Sequence, residues 1–404
     1  MHTRRSFLLS AGAAATAVAG SSATAYAANE TLNIGLIGTG GRCRHLLRSL
    51  LKIPNTRVTA ISDVWDFALN ETQKMLGKSN VLTTKKYPEL LERKDVDAVL
   101  IASPDHWHVP MTVDACAAGK DVYVEKPLTH ELSEGAAVID AQNKHKRIVQ
   151  VGTQQRSMPH IAKAREIVQA GGIGKVVKVH MTWNRNTDRV RRFKDTIDPK
   201  TVDWKAFVGK ARPQEYDEYR FRNWRWFWDF GGGLFTDLMV HWVDVAHWVL
   251  NVDHPEKAVS LGEYVVAKDV WETPDTVQTV LSYKDGLQMH FEGTFANARE
   301  GAHIVFMGTE ANMYVDRGAY ILTPELRSKK AKADQLLTAT EPKHRGADFY
   351  DTPDGELVHL TNWVDCVRSR KAPTAPAEGG VSSASAAHLA NMALRNGGVA
   401  VWKG

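Results

Sequence analysis

The chain is poor in the residues that build covalent or metal scaffolds. Its three cysteines, Cys43, Cys116 and Cys366, stand at wide, unpatterned spacing. An odd count argues against a disulfide framework, and no paired spacing suggests zinc. A long apolar run is also missing. The stretch from Ser10 to Ala28 is rich in Ala, Gly, Ser and Thr and only weakly apolar for a span of about 20 residues, and no later segment qualifies as transmembrane. Nor does one sign of charge dominate. The 51 Lys and Arg against 46 Asp and Glu leave a net charge of +5, too mild and scattered for a nucleic-acid footprint. No internal repeat is visible. What remains is a globular composition, long enough at 404 residues for two closely packed domains.

The first positive signal is at the start. Thr3-Arg4-Arg5-Ser6-Phe7-Leu8-Leu9, an Ala-rich stretch and the small-residue site Ala25-Tyr26-Ala27 read as a twin-arginine signal over residues 1–27. That route carries folded proteins, so the expectation is a periplasmic or otherwise exported protein with no stable membrane insertion after cleavage. An ordinary secretory signal, which needs only a positive n-region, is the alternative. Free nicotinamide cofactor is scarce outside the cytoplasm, so a redox enzyme sent there is expected to leave with its cofactor bound.

Residues 31–152 alternate short apolar bursts (Leu32–Ile37, Arg57–Ser62, Ala98–Ala102, Asp121–Val124, Arg147–Val151) with amphipathic stretches. Nearly continuous apolar strands between helices predict an α/β Rossmann-type domain with a parallel, doubly wound sheet. Over residues 153–355 the pattern changes. A helix at His160–Gln169 and a strand at Val176–Asn184 precede a long polar and aromatic connection. A helix at Leu234–Leu250 and a run of alternating segments follow, two of them joined by the hairpin signal Asp285-Gly286. This half reads as α+β with an antiparallel sheet. The polar stretch Glu325–Thr352 resembles a surface excursion, and the closing helices within 356–404 are expected to pack back across the domain junction.

The chemistry-bearing residues sit at turns. Gly38-x-Gly40, with Gly41 and Arg42 behind it, follows the first strand and opens a helix. Gly38 permits the tight turn, and Gly40 lets backbone amides approach a pyrophosphate. Cys43 occupies the place of the third glycine. Asp63, 23 residues beyond Gly40, can accept ribose hydroxyls and would repel a 2′-phosphate. NAD is therefore favoured over NADP, with Arg42 and Arg44 pointing the other way. A helix cap is the competing role for Asp63. Glu125-Lys126-Pro127 and Pro104-Asp105-His106-Trp107-His108 both follow buried strands at the edge where such sheets bind ligands. The two histidines of the latter, with no carboxylate cluster to support a metal, point to local hydrogen bonding rather than metal binding. Asp237 and His241 are four apart on one predicted helix, a spacing that suits an imidazole base oriented by a carboxylate. Trp183, Arg222, Trp224 and Trp228 are candidates for stacking on and bonding a sugar, against core packing as the alternative.

Together, Gly38-x-Gly40, Pro104-Asp105-His106-Trp107-His108, Glu125-Lys126-Pro127 and Gly231-Gly232-Gly233 with Asp237-x-x-x-His241 resemble the Gfo/Idh/MocA oxidoreductases over nearly all the chain beyond its signal. The resemblance implies a Rossmann domain followed by an α+β domain whose large, open, mostly antiparallel sheet commonly mediates homo-oligomers. It further implies that Lys126 holds the reacting oxygen beside the nicotinamide, and that His241 accepts the proton with Asp237 as partner. The leading expectation is NAD-dependent oxidation of a secondary alcohol of a sugar, polyol or glycoside. The alternatives are a redox-neutral glycoside hydrolase or lyase that oxidises C3 transiently, and a non-catalytic sugar- or nucleotide-binding protein.

Overall fold

The structure is a computed structural model and describes residues 31–77, 80–187, 190, 195–337 and 355–403. The signal of residues 1–27 and residues 338–352 of the polar excursion lie outside the described residues.

The first domain runs β1 (Leu32–Ile37), α1 (Gly41–Leu50), β2 (Thr56–Ser62), α2 (Asp66–Leu76), β3 (Leu82–Thr84), α3 (Tyr87–Leu91), β4 (Ala98–Ile101), α4 (His108–Ala117), β5 (Asp121–Val124), α5 (Gly135–His145) and β6 (Val149–Val151). Its six strands lie in the order β3-β2-β1-β4-β5-β6, every pair parallel. Every residue of β4 and β5 is buried, because helices cover both faces and leave no polar side for the strands to show. Leu32, Ile34 and Leu36 pack with Leu46, Leu47 and Leu50 of α1 on one face. Ile37, Val99 and Ile101 pack with Val109, Met111 and Ala115 of α4 on the other. The strand order reverses between β1 and β4, so the carboxyl ends of these two strands open a crevice. The three-residue edge strand β3 was not foreseen; Leu82-Thr83-Thr84 carries too few apolar residues to stand out.

The second domain contains α6 (Pro159–Gln169), β7 (Val176–Asn186), α7 (Trp204–Val208), α8 (Glu218–Arg222), α9 (Val240–Leu250), β8 (Lys257–Glu263), β9 (Thr276–Ser282), β10 (Gln288–Thr294), β11 (Ala296–Gly308), β12 (Ala311–Val315), β13 (Ala319–Pro324) and β14 (Asp334–Leu337). The chain closes with α10 (Gly355–Ser369), α11 (Ala377–Arg395) and β15 (Val399–Val401). The sheet order is β14-β13-β12-β11-β7-β10-β9-β8-β15. All neighbours are antiparallel except β7 and β10. Asp285 and Gly286 take φ of 60° and 77° in the turn joining β9 to β10, the left-handed backbone that their residue types tolerate.

The closing helices cross between the domains. Leu360, Trp363, Val364 and Val367 of α10 enter the core beneath β1. Ala386, Ala387, Leu389, Ala390 and Ala393 of α11 join the core of the second domain; the small alanine side chains allow the close approach to α9.

Candidate active site

The glycine loop has the form a dinucleotide needs. Gly38 has φ of 76°, and a Cβ there would lie 2.6 Å from the Ser103 nitrogen, whereas Cβ atoms at Gly40 and Gly41 would meet nothing within 4 Å. Gly40 starts α1 without a side-chain cap, leaving the first-turn amides and the positive helix end for an anion. Cys43 is fully buried beneath this turn, and burial pushes its thiol up to about 12, so it packs as a small apolar residue. Asp63 stands at the helix entry read for it and also reaches the glycine loop. Its Oδ1 accepts the Trp65 amide at 2.9 Å at the entry to α2, while Oδ2 accepts the Thr39 hydroxyl of the glycine loop at 3.4 Å. Burial raises its pKa to about 6.

Arg42 and Glu125, read as cofactor contacts, bond each other first. Arg42 Nε donates to Glu125 Oε1 at 2.9 Å, and the same guanidinium bonds Glu356 of α10. Burial opposes its charge, but the two carboxylates outweigh that and hold its pKa above the ordinary range. The guanidinium thereby ties α1, the end of β5 and α10 together beside the crevice.

The loop after β4 serves as a clasp. The His106 Nε2 and the Trp107 indole both bond the carbonyl of Phe207 in α7, at 2.9 and 2.8 Å, fastening this loop, which begins at Pro104, to the second domain. His108 lies between the carbonyls of Pro127, at 2.6 Å, and Ser103, at 2.9 Å. It thus staples the loop to the Lys126–Pro127 turn, whose peptide bond is cis. Burial pulls the pKa of His106 down to about 4 and lowers that of His108.

Lys126 reaches across the domain junction. Its Nζ donates to the Asp237 carbonyl at 2.7 Å and to Asp237 Oδ1 at 3.0 Å, and Arg225 Nε donates to the same Oδ1 at 3.2 Å. The sequence suggested one continuous α-helix here, but residues Phe235–Met239 form a π-turn leading into α9. Widening of this kind disturbs the regular carbonyl ladder and is frequent at functional sites. The Asp237 carboxylate accepts hydrogen bonds from Lys126 and Arg225 and acts on His241 electrostatically, favouring its charged form. His241 stacks on Trp183 with ring centres 5.2 Å apart, and its Nδ1 is buried with no hydrogen-bond partner. Burial, then Lys126 and Arg317, drive its pKa well down, with Asp237 opposing. These effects hold the ring in its neutral form.

Further buried polar atoms lack partners at the same edge. Among the described residues these include Ser103 Oγ and His106 Nδ1 after β4, and Thr153 Oγ1 and both amide atoms of Gln155 after β6. Unpaired buried polar atoms are costly, and their clustering where the sheet opens fits a polar ligand. The residues present therefore suit a bound dinucleotide.

Of the four sugar candidates, Trp183 adjoins His241, and Trp224 lies under the Arg225 guanidinium at 4.2 Å. The other two are committed elsewhere. Arg222 bonds Glu218 and the Asp195 carbonyl; Trp228 donates to the Glu272 carbonyl and lies beneath Arg395. Sequence reasoning gave no role to Arg317 or Asp105, and placed Arg225 only within the arginine and aromatic stretch before the triple glycine. Asp105 is buried, and desolvation pushes its carboxyl well up despite Lys126 and Arg225, with Asp237 and Glu125 adding to the rise. Arg317 stood among many arginines with nothing in its spacing to mark it. Asp105 was visible in its motif, but without its burial it read as a loop residue. Among the described residues, no group of His, Cys, Asp and Glu is arranged to hold a metal.

Comparison with known proteins agrees with this architecture. Residues 32–153 match the model of the Gfo/Idh/MocA oxidoreductase family, NAD-binding Rossmann fold, and residues 161–314 match the Gfo/Idh/MocA C-terminal domain. The chain belongs to the Gfo/Idh/MocA family. It is thus an NAD-binding oxidoreductase, as its glycine loop and parallel sheet indicated. It is 33% identical over 344 residues to an inositol 2-dehydrogenase of Gluconacetobacter diazotrophicus, covering 81% of this chain and 85% of that one. It is 24% identical to a myo-inositol 2-dehydrogenase of Thermotoga maritima, covering 90% and 96%. Against the uncharacterized oxidoreductase YrbE of Bacillus subtilis it is 28% identical over 55% of this chain, and spans about half of that relative, 54%. A levoglucosan dehydrogenase in complex with NADH and levoglucosan shares the fold with a TM-score of 0.69, at 16% identity, over 92% of this chain and 99% of that one.

Proposed function

We propose that this protein oxidises a secondary alcohol of a sugar, polyol or glycoside, with NAD held by the glycine loop, Asp63 and the β4 and β5 turns. The observation that carries this reading is Lys126 crossing from the nucleotide domain to Asp237, beside a neutral, buried His241. NAD, when bound, supplies the hydride acceptor. Lys126 would donate to the alcohol oxygen and stabilise the charge that develops on it. His241, uncharged and with Nδ1 unpaired, would accept the hydroxyl proton, while Asp237, itself bonded by Arg225, holds the ammonium in place. The named activities of the two inositol dehydrogenase relatives support a polyol or sugar alcohol as substrate.

The reading extends to setting. The arginine pair and Ala25-Tyr26-Ala27 support export by the twin-arginine route to the periplasm with NAD retained. Val399, Val259 and Val280 align across β15, β8 and β9 and are each about half exposed, which supports self-association through this sheet face.

The test supplies a panel of sugars, inositols and aryl glycosides to the purified full chain. NADH formed with equal ketone supports the dehydrogenase. Aglycone released without added NAD and without net NADH would overturn it in favour of transient oxidation.

A further inference from the structure

One carboxylate at the domain junction faces two cations. Lys126 Nζ and Arg225 Nε both donate to Asp237 Oδ1, at 3.0 and 3.2 Å. Solvent reaches all three side chains, Lys126 to 12%, Asp237 to 19% and Arg225 to 39%, so the cluster is open where the Arg156–Asp244 pair, at 6% and 0%, is closed.

The second cation bears on the chemistry assigned to the first. An ammonium has three N–H donors. Lys126 uses two of them on the Asp237 carbonyl and carboxylate, which leaves one for the reacting oxygen. The carboxylate that fixes the ammonium also opposes the charge it can offer to a developing alkoxide, because one lysine against one aspartate is neutral. Arg225 returns a positive charge at the same oxygen. Asp105, the other carboxyl that feels both cations, is held toward its neutral form by burial and does not cancel that charge.

The local fold keeps Arg225 in this place. Its guanidinium carbon lies 4.2 Å from the centre of the Trp224 ring, a stack that steadies the plane while Nε meets the carboxylate. Both residues belong to the single 3-10 turn Trp224–Trp226. A Cβ on Gly231 would come within 2.8 Å of the Arg225 Cα, so the triple glycine lets this turn pack close to the π-turn that carries Asp237.

We propose that Arg225 is a positioning residue for the oxidation: by sharing Asp237 with Lys126, it leaves the lysine a surplus of positive charge for the developing alkoxide. This inference rests on the reading of Lys126 as the group that holds the reacting oxygen.

The experiment measures kcat and KM of the NAD-loaded full chain on the panel member most readily oxidised, for wild type, Arg225→Gln and Arg225→Lys. Formate, a small oxyanion, is titrated calorimetrically into the same samples as a stand-in for the alkoxide. Arg225→Gln should lower kcat about 10- to 100-fold with KM within about threefold of wild type, and Arg225→Lys should recover most of the loss. Formate should bind about tenfold more weakly to Arg225→Gln. Arg225→Met, which keeps the stem against Trp224, is a second neutral variant and should behave as the glutamine does. Unchanged kcat in the neutral variants overturns the proposal. So does an equal loss of kcat in the glutamine and lysine variants with a lowered melting midpoint, which would mean that the arginine only holds the turn. No NADH on any panel member refutes the oxidation reading, and formate then tests the surplus charge alone: weaker binding in the neutral variants upholds it, and equal binding overturns it.

Discussion

Two aspartate–histidine pairs lie on one stretch of chain, and they are built for different ends. Asp244 and His247 are sealed. Asp244 is fully buried and takes both ends of the Arg156 guanidinium at 2.7 and 2.8 Å, and His247 has Ser382 on one nitrogen and the Tyr283 hydroxyl on the other. Of Asp237 and His241, one to two turns earlier, the histidine is left incomplete. The side chain of Asp237 is 19% exposed and shares a lysine from the other domain, and His241 keeps a buried nitrogen without a partner. A complete network rigidifies and an incomplete one is poised for a ligand. The sealed pair therefore serves the domain junction, and the open pair is the one proposed to serve chemistry.

Mutation should separate the two. Lys126→Ala should cut NADH formation by about 10²–10⁴-fold, the usual worth of a positioned proton-handling group, with the melting midpoint moving little. His241→Ala should fall in the lower half of that range, read as kcat at saturating substrate. Asp244→Ala should do the reverse. Leaving Arg156 buried without its partner costs about 3–5 kcal/mol, measured by denaturant unfolding, while the rate per folded molecule stays near wild type. At the small end, Lys163→Ala, which removes an exposed partner of Glu166, should change stability by less than about 0.5 kcal/mol.

Acid should expose the sealed histidines collectively. Burial holds His247 at about 3 and His106, His359 and His388 at about 4. The unfolded chain protonates these rings near 6.5 and the folded chain does not, so their contribution is present above 6.5 and is lost as pH falls toward 4 and 3. Asp63, raised to about 6, and Asp105 work the other way: each holds its proton more tightly when folded and loses that contribution as pH rises. Four imidazoles outweigh two carboxyls. The melting temperature should therefore drop steadily from pH 7 to pH 4.5, and a flat profile would contradict these burials.

Much of the fold was legible because the parallel strands are short apolar bursts buried on both faces, as at Ala98–Ile101 and Asp121–Val124. The glycine loop and Lys126 were legible because strand, turn and helix fix what a residue at the carboxyl edge can meet. The cations on Asp237 were not: nothing in its i, i+4 spacing to His241 announces Lys126, 111 residues away, or the π-turn that carries it. Arg42 illustrates the same limit: nothing near it in sequence announces Glu356, 314 residues away.

The most direct test substitutes Asp237→Asn and Asp244→Asn in parallel and measures single-turnover NADH formation per folded molecule. The account predicts that Asp237→Asn loses most of its hydride transfer with its fold intact, and that Asp244→Asn keeps its rate while losing stability. Full hydride transfer in Asp237→Asn would contradict it.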